Sequence, residues 1–129
     1  MAERKCSEST RAGRFAKADQ FEHAAALVES YASDSDDLND AYITMCVHAG
    51  IAAADVITCK SMGVHHQGEN HNKAVALVRK VDKGAADDLA TLLKMKTSAG
   101  YGADASSRTR RKQAKRAMGR LMDTARTNR

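Results

Sequence analysis

Three histidines fall within the stretch His65-His66-Gln67-Gly68-Glu69-Asn70-His71. Imidazole is the side chain that moves protons near neutral pH, and it also ligates zinc. His66, Glu69 and His71 could in principle share a cation. No HExxH pattern and no cysteine pair accompanies them, so no metal centre is expected. His65 and His66 read as solvated loop residues. His71 differs, because an apolar helical pattern begins with it, and an ordered element holds a side chain in place. Some two dozen residues later come Lys94 and Lys96, then Tyr101 between two glycines. A histidine for proton transfer with cations for a phosphate charge is the minimum for phosphodiester chemistry. His71, Lys94, Lys96 and Tyr101 are therefore the candidate catalytic residues, although the sequence leaves open whether the chain is an enzyme at all. No cofactor is implied.

The second chemical feature is charge. The net charge is +5, and it is uneven. Residues 1–105 hold 12 basic and 15 acidic groups, whereas residues 106–129 hold nine basic groups against Asp123. Arg108, Arg110, Arg111, Lys112, Lys115, Arg116 and Arg120 surround one apolar stripe and form a candidate nucleic-acid-binding face. No aromatic residue interleaves with them, so base stacking is not expected there. The competing reading is a solvated helix face, or one that meets acidic residues such as Asp34, Asp36, Asp37 and Asp40.

Helices must position these groups. Proline is absent and alanine abundant, a composition that favours helix. Apolar residues recur at helical spacing from Phe15 to Ala32, ending at the turn-forming run Ser33–Asp37. A second helix follows with Asp36 or Asp37 as N-cap. One stripe runs through Tyr42, Met45, Ala49 and Ala52, another through Ile43, Val47, Ile51 and Ala54. So wide an apolar surface places that helix at the centre of a bundle or at a dimer seam. It ends near Met62, with Gly63 as the left-handed cap. A third helix spans about Asn70–Val81, a fourth Ala85–Met95, and a loop is expected over 97–105. Ser106 or Ser107 caps the last helix, whose stripe is Ala114, Ala117, Met118, Leu121, Met122 and Ala125. The expectation is an all-α antiparallel bundle of four to five helices, with residues 1–10 a flexible N-terminus and 11–126 one domain.

The chain has three cysteines without paired spacing. Cys46 and Cys59 on one helix would be about 20 Å apart, beyond disulfide reach. A reduced, cytoplasmic protein is the simplest expectation. No long uninterrupted apolar run suggests a membrane span, and no apolar segment follows the basic N-terminus as in a secretory signal.

The layout Lys60-Ser-Met-Gly-Val-His-His-Gln-Gly-Glu-Asn-His71, the helix Asn72-Lys-Ala-Val-Ala-Leu-Val-Arg79, Leu92-Leu93-Lys94-Met95-Lys96 and Tyr101 resembles small bacterial proteins of the HEPN family (higher eukaryotes and prokaryotes nucleotide-binding domain). The resemblance covers roughly Leu38 to Ala125. It implies a helical binding or regulatory module that works as a homodimer, with a nucleotidyltransferase-type protein, a nucleotide or RNA as partner. Many such proteins are metal-independent ribonucleases carrying an arginine, four to six residues and a histidine. That motif is missing here, since no arginine precedes a histidine at that separation. A divergent ribonuclease is thus the alternative to a binding module, and nucleic-acid binding through the last helix is the third reading.

Overall fold

The computed structural model describes residues 3–32 and 35–129. Its helices are α1 (Glu8–Ala32), α2 (Asn39–Met62), α3 (His71–Arg79), α4 (Lys83–Tyr101) and α5 (Arg108–Arg126), with two three-residue strands, β1 (Glu3–Lys5) and β2 (Val64–His66). The chain is an all-α bundle carrying one small antiparallel ribbon.

The helices start where short polar side chains satisfy otherwise orphaned amides. Asn70 accepts from Lys73 N at 3.0 Å, Asp82 from Ala85 N at 2.9 Å, and Ser107 from Arg110 N at 3.1 Å. Helix α2 begins without such a cap. Asp36 and Asp37 precede its start, Leu38 occupies the cap position, and no side chain bonds there. Gly63 ends α2 in the left-handed conformation, φ 70°, with its amide donating to Cys59 O. Part of the turn-forming run, Ser33 and Asp34, lies outside the described residues.

Helix α2 is the axis. It packs against α1, α5 and α4, and its C-terminal half meets α3 and β2. By length and composition it could cross a membrane, but 78% of its apolar window is buried inside the chain. Its second stripe is also covered internally, with Ile43 at 0%, Val47 at 1% and Ala54 at 4% exposure. The surface that suggested a dimer seam is therefore occupied by the protein's own helices. All six stripe residues of α5 are buried.

Gly50 permits the closest helix approach. A Cβ there would lie 2.4 Å from Leu92 Cδ1 and 3.3 Å from Leu121 Cδ1, and both leucines are fully buried. Gly50→Val is expected to cost about 2 kcal/mol through overpacking, outweighing a helix-propensity gain of a few tenths. Urea unfolding checks this; a variant as stable as the native chain would contradict the tight α2–α4–α5 junction.

Two boundaries differ from the sequence expectation. The N-terminal segment expected to be loose forms β1, pairs Glu3 with His66, Arg4 with His65 and Lys5 with Val64, and bonds Cys6 to Cys59. The cysteines are thus not all reduced; the short ribbon brings together two whose sequence separation is 53. Helix α4 runs on to Tyr101 instead of stopping at Met95. Continuing the helix packs Ala99 against the core. It stops at Gly102, where a Cβ would sit 2.8 Å from Ser98 O.

Candidate functional site

Extending α4 past Met95 brings Lys96 and Tyr101 onto neighbouring turns of one helix. Lys96 then borders two cavities. The inner one, about 70 Å³, lies between α2, α3 and α4. Ile51, Leu77, Leu89 and Leu93 give it apolar walls, while Asp55, His66 and His71 add polar groups and Lys96 stands at its edge. The outer one, about 190 Å³, is bounded by Thr44, Val47, His48, Lys96, Gly100 and Tyr101. Lys96 thus lines both cavities, with His71 in the lining of the inner one and His48 in that of the outer.

His71 reaches the cavity because it is the first residue of α3, directly after the Asn70 cap. His66 is carried by β2. Its Nε2 is buried and has no hydrogen-bond partner among the described residues, an arrangement that leaves a polar atom available to an occupant or a water. Asp55 comes from the apolar run of α2 and accepts from Arg14 Nε at 2.8 Å. His65 Nδ1 lies 3.9 Å from the same carboxylate oxygen. Burial pushes the Asp55 carboxyl above its ordinary value, opposed by the Arg14 guanidinium and by His65 and His66. A raised carboxyl pKa favours folding most at acid pH, and that contribution is lost as pH rises through the folded-state value.

His48 is exposed at the outer cavity, and partial desolvation is the main cause that lowers its pKa from the ordinary 6.5, with Lys96 adding to it. The ring also stacks on Phe21 of α1, with centroids 5.1 Å apart. The shift favours the neutral imidazole, the form that can accept a proton. An imidazole titration by NMR is expected to place its midpoint below 6.5, rising when Lys96 becomes Gln; a midpoint above 6.5 in the native protein would contradict this environment. Tyr101 is 85% exposed, so its ring offers a flat face to solvent.

Of the sequence candidates, His71 and Lys96 share the inner cavity, and Lys96 and Tyr101 share the outer. Lys94 is exposed and borders neither. His65 and His66, read as solvated loop residues, are instead partly buried in β2. Sequence reasoning missed His48 and Asp55. Each is a lone polar residue within a strongly apolar helix, at Val47-His48-Ala49 and Ala54-Asp55-Val56, and that isolation was the available signal. Among the described residues, no three His, Cys, Asp or Glu side chains form a group able to hold a metal.

Much of the basic face of α5 meets acidic or polar groups of the chain itself. Arg108 pairs with Asp36 at 3.0 Å, Lys115 with Glu29 at 2.9 Å and Arg120 with Asp88 at 2.7 Å. Arg111 donates to Asn39 Oδ1 and Ser35 O, and Arg110 to Ser98 Oγ. Lys112 and Arg116 are exposed. No protein-family model, curated protein or solved structure matches the chain.

Proposed function

We propose that the protein is a HEPN-like helical binding module that takes a nucleotide, or the nucleotide end of a partner RNA, at the outer cavity. The observation that carries this reading is the position of Lys96 between two histidine-bearing cavities, next to the exposed ring of Tyr101. An ammonium attracts phosphate, and an exposed aromatic ring accepts a base by stacking, with little preference for which base. His48 and Thr44 supply further hydrogen-bonding groups at the same opening. The cytoplasmic location expected from reduced cysteines loses that support with the Cys6–Cys59 bond, and a nucleotidyltransferase-type partner is what the resemblance adds to this proposal.

Titrating the purified chain with adenosine monophosphate, and separately with a short single-stranded RNA, tests the reading by amide shifts. Saturable shifts at His48, Lys96 and Tyr101 are expected. No shifts at about 1 mM nucleotide, a concentration that would reveal even weak affinity, would remove it.

The ribonuclease reading is favoured by one observation, His48 and Lys96 lining the same cavity. Its proton acceptor would be His48, with His71 across Lys96 as the competing choice. Metal-free cleavage of labelled RNA that disappears in His48→Ala but survives in His71→Ala would establish it. Binding without cleavage leaves the module reading in place.

A further inference from the structure

Strand β1 is held by little besides one covalent bond. Its three residues are all exposed, so it buries scarcely any apolar surface, and an isolated two-stranded ribbon is marginal in water. Cys6 follows it immediately. The Cys6 amide donates to Gly63 O at 2.9 Å, and its sulfur is bonded to that of Cys59. Cys59 is buried in the last turns of α2. Cys6 is partly exposed and lines an open groove of about 590 Å³ with Ser7, Thr10, Met62 and Val64. A small thiol can therefore reach one sulfur of the pair and not the other.

We propose that the Cys6–Cys59 disulfide is a redox-sensitive latch on the inner cavity. The strand it pins is the partner of β2, and β2 supplies His66 to the cavity lining. Glu3 pairs with His66, whose buried Nε2 has no partner among the described residues, and Arg4 pairs with His65, which faces Asp55. Opening needs a dithiol reductant. Its thiolate attacks the Cys6 sulfur, the S–S bond breaks, and Cys59 leaves as a thiolate that takes a proton. The reductant's second thiol, as thiolate, then attacks the mixed disulfide, frees the Cys6 thiol and closes the reductant into its own disulfide. Two electrons pass to the protein. Strand β1 is then left with a three-residue ladder and the Cys6 amide bond to Gly63 O, and the backing of His65 and His66 weakens. The helices keep their packing, because α1 is held by Ala18 and Ala25 in the core. Cys46 does not compete in the exchange, since it is fully buried and burial pushes its thiol up to about 12.

The test uses the full chain purified without reductant. Alkylation after denaturation is expected to label one cysteine, and all three after dithiothreitol. Amide exchange at residues 64–66 and tryptic cleavage after Arg4 and Lys5 are expected to be at least about tenfold faster in the reduced form, as local opening allows. The helical circular-dichroism signal should not change. Cys6→Ser should reproduce the reduced behaviour, and Cys46→Ser should not. Three labelled cysteines that persist after treatment with oxidised glutathione would overturn the latch. Equal exchange at 64–66 in both forms would also do so. So would loss of helix on reduction, because the bond would then hold the fold and not the cavity wall. No nucleotide enters these measurements, so their failure is separate from failure of the nucleotide titration.

Discussion

Lys96→Gln is expected to weaken adenosine monophosphate binding at least about tenfold, because a hydrogen bond to a charged group contributes about 1.5–3 kcal/mol. Glutamine keeps most of the side chain's reach and removes the charge, so the loss reports on phosphate attraction. Lys96 is partly exposed, and no ion pair holds it among the described residues. Stability should therefore change by no more than about 0.5 kcal/mol. Two controls divide the site. Lys94→Gln should bind normally, since Lys94 borders neither cavity. Tyr101→Ala should lose about 1–3 kcal/mol of nucleotide affinity, the usual contribution of stacking one base, and leave inorganic phosphate binding intact. Calorimetry at fixed salt measures all three. Equal affinity of Lys96→Gln and native protein would dismiss Lys96 as the anchor, and an equal loss at Lys94 would replace a site with a diffuse field.

The elements that sequence reads well are those governed by local rules. The α5 stripe was legible because six apolar residues recur at one spacing on a helix otherwise crowded with cations, and every one of them is buried. The Gly63 cap and the position of His71 at the start of α3 were legible for the same reason. What escaped was set by tertiary contact. Gly100 and Gly102 read as loop residues, yet α4 passes through Gly100 because Ala99 packs on the core. That extension is what places Tyr101 with Lys96, so a misplaced helix end also hid half of the outer cavity. The Cys6–Cys59 pair depends on a ribbon with no apolar pattern of its own. His48 and Asp55 belonged to neither apolar stripe and were passed over, although an isolated ionisable residue inside such a run needs a partner or an opening. The acidic counterpart of the basic α5 face was foreseen at Asp36. Glu22, Glu29 and Asp88 are brought to it only by folding.

Asn39→Ala carries the largest expected loss of stability, about 3 kcal/mol, from two buried groups left unpaired at about 1–3 kcal/mol each. Asn39 is 1% exposed. Its amide nitrogen donates to Ser106 O at 3.0 Å and to Asp36 Oδ1 at 3.1 Å. Its carbonyl oxygen accepts from Arg111 Nη1 at 2.8 Å. One side chain thus joins the start of α2 to the start of α5, across 67 residues in the case of Ser106. Alanine leaves Ser106 O and one Arg111 N–H without those partners, with only 11% of the Arg111 side chain exposed. Lys115→Ala is the calibrating comparison. It breaks an ion pair whose side chains are 55% and 36% exposed, and such pairs contribute at most about 1 kcal/mol. Urea unfolding of both variants measures the difference. If Asn39→Ala costs no more than Lys115→Ala, the two helix starts are held by apolar packing alone. A loss confined to Asn39→Ala shows that a buried polar clamp aligns α5 beneath α4, the helix that carries Lys96 and Tyr101.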